Sequence, residues 1–320
     1  MNADKIRTAI KKFDRFLVSA HINPEGDSIG SQIAAASLLR RLGKEVVIVN
    51  ESAVPHLLRF MKGTEDILKE MPANFKFQAA IVLDCPDLTR LGKISECIGK
   101  DTTVINIDHH ISNEKFGKYN WVDTKSSSVG EMVFELFKAF RLKIKYDEAV
   151  AMYVAIMTDT GSFKYVNTSS STHKIAADLI DSGVEPYDMY GKIYETSSLQ
   201  DTSLLGEALQ TLRVSDDGKI AWLWVTKEML KKTKASLEGT EGIINFARSI
   251  EGVEIAIFFR ETGTEGRVKV SFRSKGRVDV NKLASFFKGG GHTTASGCTV
   301  FGKMSEVEKK VLKQAQVMVK

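Results

Sequence analysis

The chain has 320 residues, 43% of them hydrophobic and 27% charged, with a formal net charge of +5. That is the composition of an ordinary globular protein rather than a disordered one, and the length suffices for two domains. No apolar run approaches the roughly 18 residues of a membrane-spanning helix, and residues 1–13 lack the apolar core of a secretory signal. Cys85, Cys97 and Cys298 form no CxxC pair, which argues against a disulfide framework or a structural zinc site. A cytoplasmic protein without a membrane partner is the expectation. The mildly basic balance fits a phosphate-bearing partner and fits a solvated surface equally well.

Residues 15–20 (RFLVSA), 45–49 (EVVIV), 79–83 (AAIVL) and 103–107 (TVINI) are rich in β-branched residues and of strand length. Between and after them, residues 28–42, 129–140, 147–157 and 172–182 repeat apolar residues every three or four positions and predict helices. Strands alternating with helices predict an α/β fold on a doubly wound, mainly parallel sheet, expected over residues 1–190. Residues 184–212 read as polar and mostly helical, and 191–215 are expected to form a helical linker ending at Ser215-Asp216-Asp217-Gly218. Beyond it, residues 220–226, 253–260 and 267–273 predict strands, the last two joined by a hairpin across 261–266. Helices are expected at 240–250, 280–287 and 305–319, so residues 216–320 predict a smaller mixed α/β domain. The apolar helices at 129–140 and 147–157 fit either a core or a homodimer interface.

In an open α/β sheet, ligands bind outside the carboxyl ends of the strands. Here residues 15–20 run into His21 and then Asn23-Pro24-Glu25-Gly26-Asp27, residues 79–83 into Asp84, and residues 103–107 into Asp108-His109-His110. Asp159 follows an apolar helix in Thr158-Asp159-Thr160-Gly161-Ser162-Phe163. Each piece alone has an ordinary explanation, since Asp27 or Ser28 could simply cap the next helix. Their gathering at the ends of neighbouring elements points instead to a metal site. Imidazole and carboxylate donors without thiolates suit Mn²⁺, Fe²⁺, Co²⁺ or Zn²⁺ better than a calcium cage. The donors suffice for two divalent ions if one carboxylate bridges, and two ions can neutralise an in-line phosphoryl transition state. A metal-dependent phosphoesterase is therefore expected.

Toward the C-terminus, Gly289–Gly291 can adopt conformations closed to other residues and turn N–H groups toward an anion, with His292, Thr293 and Thr294 beside them as polar contacts. Lys269, Arg273, Lys275 and Arg277 lie on or just past one predicted strand. Phe286 and Phe287 read as core, Cys85 as a small buried residue, and no GxxxxGK[ST] phosphate loop is present.

The order His21, Glu25, Asp27, then Asp84, then Asp108-His109-His110, then Thr158-Asp159-Thr160-Gly161 resembles the four motifs of the DHH phosphoesterase superfamily. The Gly289–Gly291 run with His292 resembles the signature of its DHH-associated C-terminal domain. The wording is most similar to the branch of nanoRNases that are also 3′-phosphoadenosine 5′-phosphate phosphatases. That resemblance implies a hydrolase of short oligoribonucleotides and of this nucleotide, using a hydroxide activated by two metals, most simply Mn²⁺, with Mg²⁺, Co²⁺ or Fe²⁺ as alternatives. It implies one ion on His21, Glu25 and Asp84, and a second on Asp27, Asp84, His109 and Asp159, with Asp84 bridging. Asp108 would orient a histidine, and His110 would face the substrate phosphate. Arg273, Ser274, Gly290, Gly291 and His292 would hold the substrate's far phosphate. Glu25 departs from the Asp that many members carry. A cyclic or linear dinucleotide phosphodiesterase of the c-di-AMP or pApA type is the alternative enzyme. A nucleotide-binding module that has lost catalysis is the alternative outside enzymes, and the intact motif residues argue against it.

Overall fold

The apolar runs of the first half become six parallel strands: β1 (Arg15–Ala20), β2 (Glu45–Val49), β3 (Ile67–Leu68), β4 (Ala79–Leu83), β5 (Thr103–Asp108) and β6 (Tyr119–Val122), ordered β3-β2-β1-β4-β5-β6. This is a computed structural model, and it describes residues 2–240, 242–262 and 266–319. β1, β4 and β5 are buried almost throughout, as central parallel strands covered on both faces must be. The order reverses between β1 and β4, the switch point where doubly wound sheets bind ligands. In the register Ala20↔Leu83 and Leu83↔Ile107 the carboxyl ends of β1, β4 and β5 come level. His21, Asp84 and Asp108 therefore leave the sheet along one edge.

One face of the sheet carries α1 (Ala3–Ile10), α2 (Gly26–Arg41), α3 (Val129–Ala139), α4 (Tyr146–Asp159), α5 (Ser170–Asp181) and α6 (Pro186–Tyr194). Phe134, Phe137, Met152 and Ile156 share a core there with Phe16, Val18, Ile81 and Ile105, each large side chain contributing about 2 kcal/mol by burial. α3 and α4 are thus core helices. The opposite face, with Leu17, Ala80, Val82 and Val104, is covered by Cys85, Leu91 and Ile94, the last two on a 3-10 segment. Glycine makes the α2–α4 contact close: a Cβ at Gly26 would collide with Thr158, and one at Gly30 with the Ala151 carbonyl oxygen. α1 was hidden in the sequence by its charges, yet Ile6, Ala9 and Ile10 form a buried stripe.

The chain divides into two compact units, Met1–Thr196 and Ser197–Lys320. The second holds α7 (Leu199–Gln210), β7 (Arg213–Val214), β8 (Ile220–Val225), α8 (Lys227–Thr233), α9 (Ile244–Ser249), β9 (Ile255–Glu261), β10 (Arg267–Ser274), α10 (Val280–Phe286), β11 (Gly290–Gly291), β12 (Ala295–Phe301) and α11 (Met304–Met318). Its sheet runs β11-β12-β10-β9-β8-β7, with β8 and β9 parallel and the other pairs antiparallel. α7 packs Leu204 and Ala208 against Leu223, Val225 and Phe258. It belongs to this unit's core, so the break falls between α6 and α7 instead of across a linker at 191–215. β9 and β10 pair as hairpin arms, while residues 263–265 of the expected hairpin lie outside the described residues. Phe287 packs partly against the core, but Phe286 is 64% exposed, so the core reading fails for Phe286. A helix of seven residues lets only Val280, Leu283 and Ala284 face inward.

Candidate metal centre

Asp84 ends β4 in the left-handed region, φ 53°, a conformation that Asp tolerates better than most residues. Its amide donates to Ile107 O at 3.0 Å, which ties the bend to the neighbouring strand. Oδ2 accepts from the Ser28 hydroxyl at 2.5 Å and lies 3.3 Å from His21 Nε2, while Ser28 Oγ is itself 2.8 Å from that nitrogen. His21 donates its Nδ1–H to Ile22 O at 2.7 Å, which turns Nε2 inward. Burial pushes the Asp84 carboxyl up, but the His21 hydrogen bond and the charges of His21, His109 and His110 outweigh it and hold Asp84 well below the usual range. Burial would lower His21 in turn, and Asp84 more than reverses that. Ser28, read in the sequence only as a helix cap, is fully buried between these two groups. No spacing in the sequence signalled it.

Around His109 the arrangement is denser. Its Nδ1–H donates to Ser126 O at 3.3 Å, leaving Nε2 to face Asp27 Oδ2 at 3.8 Å, Asp84 Oδ1 at 3.7 Å and Asp159 Oδ2 at 3.7 Å. These separations are too long for hydrogen bonds. They match donors that share an ion, since ligands about 2.1 Å from one centre stand roughly 3–4 Å apart. Asp27 is fixed by α3, whose first N–H groups donate from Val129 at 2.7 Å and Gly130 at 2.9 Å, and by Ser31 at 3.0 Å. Helix N-termini favour such anions, yet burial and then the Asp84 charge dominate and raise Asp27 to about 7. Burial also raises Asp159, with Asp27 and Asp84 adding to it against His109. His109 rises to about 9, because the three carboxylates around it outweigh its burial.

Asp108 is fully buried. Oδ1 accepts from His109 N at 2.9 Å and His110 Nδ1 at 2.7 Å, and Oδ2 accepts from Asn113 Nδ2 at 2.6 Å. Burial raises it, but the His110 bond and charge, with Asn113, bring it below the ordinary value. His110 Nδ1 also lies 3.6 Å from Asp84 Oδ1. Asn113 had no signal in the sequence; it sits three residues past the triplet in a loop of ordinary composition.

Among the described residues, two groups offer donor atoms within 4.8 Å of one another: Asp84, His109 and His110, and Asp27, His109 and Asp159. They could hold a metal ion. Glu25 is in neither group. It is exposed at the N-cap of α2 and acts on the centre through its charge on Asp159. After Asp159, Gly161, Ser162 and Phe163 are all left-handed (φ 55°, 61° and 64°), an outlier for a bulky residue. Phe163 is held there by its N–H to Thr160 Oγ1 at 3.0 Å and by ring packing on Tyr153 and His173. Cys85 is buried, which pushes its thiol up to about 12 and leaves it inert at neutral pH.

In the second unit, β10 alternates exposed and buried residues. Arg273 shares the side of exposed Lys269 but is half-buried, and its Nη1 donates to Phe272 O at 3.0 Å. Ser274 faces the other way, buried, its hydroxyl 3.5 Å from Thr293 O. Lys275 is tied to Ile250 O, and Arg277 lies 3.8 Å from Glu254. Gly290 and Gly291 pair with Gly297 and Ser296, and the amides of Gly289 and His292 donate to Ala284 O and Ala295 O. The expectation that the glycine N–H groups turn toward an anion is not met at Gly289. The glycines serve close backbone packing: a Cβ at Gly289 would strike Gly297 O, and Gly291 has φ 145°. The His292 side chain is exposed beside them.

Fold and donor set together define a doubly wound α/β protein with a candidate metal centre at its switch point. The N-terminal domain of the DHH family matches residues 15–156, and the DHHA1 domain matches residues 218–319. The chain belongs to the DHH family. It is 29% identical to the bifunctional oligoribonuclease and PAP phosphatase NrnA of Bacillus subtilis, over 94% of this chain and 94% of that one. It is 30% identical to the protein of the same name from Thermus thermophilus, over 89% of this chain and 84% of that one. An exopolyphosphatase-related protein from Bacteroides fragilis has a structure similar at TM-score 0.91 and 31% identity, covering 98% of this chain and 94% of that one. Among the described residues no helix is long and apolar enough to cross a membrane.

Proposed function

We propose that this protein is a hydrolase of short oligoribonucleotides and of 3′-phosphoadenosine 5′-phosphate, working with two divalent ions, Mn²⁺ foremost. The observation that carries the reading is His109 Nε2 standing 3.7–3.8 Å from the buried carboxylates of Asp27 and Asp84 and the half-buried one of Asp159, without a hydrogen bond to any. The end-to-end similarity to proteins named for these activities supports the substrate classes. His21, Asp27, Asp84, His109 and Asp159 would hold the ions, with Asp84 between them and Glu25 at the rim. Bound there, divalent ions supply Lewis-acid neutralisation of phosphoryl charge. Asp108 fixes the His110 ring by accepting its Nδ1–H, so His110 presents Nε2 to a substrate oxygen, where it can stabilise charge or deliver a proton. Arg273 and His292 are assigned to a second phosphate of the substrate, Gly290 and Gly291 to the hairpin that presents His292, and Ser274 to the turn beneath. Free cysteines without a disulfide support a cytoplasmic setting.

The test is a Mn²⁺-supplemented assay of the purified chain on 3′-phosphoadenosine 5′-phosphate, RNA of two to five nucleotides, linear and cyclic dinucleotides, and pyrophosphate. Release of phosphate from the first and mononucleotides from the second is expected. Cleavage of cyclic dinucleotides alone would transfer the assignment to the alternative enzyme, and no product from any substrate would end the enzyme reading.

A further inference from the structure

Three of the candidate ligands depend on one turn, residues 126–130, that contains no ligand itself. Ser126 O accepts the Nδ1–H of His109 at 3.3 Å. The amides of Val129 and Gly130 hold both oxygens of Asp27. Ser127 O accepts from Asn167 Nδ2 at 2.9 Å, and the same nitrogen donates to Asp159 O at 3.1 Å and lies 3.5 Å from Asp159 Oδ2. The turn is closed from within by Glu131. This buried side chain reaches back past the Ser128 N-cap, where Oε2 accepts from Ser126 Oγ at 3.0 Å and from Ser127 N at 2.9 Å. An ordinary capping box would stop at the N-cap amide. Here the carboxylate ties down the two residues whose carbonyls serve His109 and Asn167.

We propose that Glu131 is a positioning residue for the metal centre: it fixes the 126–130 turn and through it sets the tautomer of His109 and the placement of Asp27 and Asp159. The inference rests on the reading of this site as a metal centre. A histidine ligand needs its other ring nitrogen committed to a fixed acceptor, and loss of such a partner typically costs about 10–100-fold in metal affinity. Glu131 is one step further out, but it governs three ligands at once. Both donors from the turn serve Oε2, Oε1 is buried without a hydrogen-bond partner, and the place of Glu131 in the first turn of α3 favours its charge.

The experiment is a calorimetric Mn²⁺ titration of the full chain and its variants, well below each melting temperature, with circular dichroism alongside. Glu131→Ala should weaken Mn²⁺ binding about 10–100-fold with a native spectrum. Glu131→Gln, whose amide oxygen can still accept from Ser127 N, should recover most of that affinity. Ser126→Ala removes one of the two bonds to Glu131, together with the hydroxyl's bond to Ser128 O, and should give a smaller loss in the same direction, which keeps the test alive if Glu131→Ala does not fold. Glu131→Ala or Ser126→Ala binding Mn²⁺ as tightly as the unmodified chain, with only a lowered melting temperature, would overturn the proposal and leave Glu131 a helix cap. Failure of the unmodified chain to bind any divalent ion would instead overturn the metal-centre reading beneath it.

Discussion

His109 and Asp84 face each other across 3.7 Å, Nε2 to Oδ1, while the other oxygen of Asp84 is engaged by Ser28 and lies near His21. One carboxylate therefore spans both halves of the donor set, and its charge balances three imidazoles. Asp84→Asn keeps the shape and an oxygen for Ser28 but removes that charge. Mn²⁺ affinity should fall at least about 100-fold and turnover about 10³-fold, with circular dichroism unchanged. A titration showing Asp84→Asn loaded with metal like the unmodified chain would remove Asp84 from the centre.

Metal binding should release protons. Asp27 is raised to about 7, His109 to about 9, and Asp159 well above 3.8, so near neutral pH the ion must displace protons from groups that bind it deprotonated. Affinity should climb from pH 5 to pH 9. The stability of the metal-free fold runs the opposite way. What Asp27 contributes is full below 3.8 and lost as pH rises through about 7; what His109 contributes is full below 6.5 and lost through about 9. Asp84 and Asp108 are lowered, so their contribution is present above 3.8 and lost only as pH falls beneath it. The rise in melting temperature on adding Mn²⁺ should therefore grow from pH 5 to pH 9. Scanning calorimetry with and without the ion checks this, and an increment that shrinks with pH would contradict it.

His21, Asp84 and the Asp108-His109-His110 triplet were legible because each follows a strand directly, so strand periodicity alone placed them on one sheet edge. Asp27 and Asp159 were legible from the motif order. Ser28, Asn113, Glu131 and Asn167 were not, since they act through hydrogen bonds to groups between 4 and 56 positions away and their residue types are common in caps and loops. β12 escaped notice because Ala295-Ser296-Gly297 reads as a loop, although the strand is completed by pairing with β10. α7 looked like a linker because only Leu204 and Ala208 of its twelve residues are buried, too few for a clear periodicity.

The closeness of α2 and α4 has a measurable cost if disturbed. An exposed helix interior gains about 1 kcal/mol when Gly becomes Ala. At Gly30 the new Cβ meets the Ala151 carbonyl oxygen and lies 3.1 Å from Ala155 Cβ, so Gly30→Ala should instead lose about 1–3 kcal/mol, read from the urea midpoint. Because α2 carries Asp27 and α4 ends at Asp159, Mn²⁺ affinity should fall with it. Gly206→Ala in α7, where nothing lies within 4 Å, is the control and should stabilise slightly. Equal stabilisation by both changes would mean that α2 and α4 pack less closely than described.

Arg273 and His292 belong to a unit that contributes none of the candidate metal ligands, so substrate affinity and metal affinity should separate on mutation. Arg273 is half-buried on β10 with Nη1 donating to Phe272 O, and a planar guanidinium pairs with a phosphate in a way that an ammonium cannot copy. Arg273→Lys and His292→Ala should each raise KM for 3′-phosphoadenosine 5′-phosphate about 10-fold, one charge-assisted hydrogen bond being worth about 1.5–3 kcal/mol before compensation. The Mn²⁺ titration should be unchanged in both. Ser274→Ala, which removes a hydroxyl that donates to Thr293 O and accepts from Gly276 N, should cost about 1 kcal/mol of stability and leave KM alone. If His292→Ala strips the metal, or if Ser274→Ala raises KM as much as Arg273→Lys does, the assignment of substrate phosphate to the exposed side of this unit is wrong, and the glycine hairpin with its buried serine must be reconsidered as the contact.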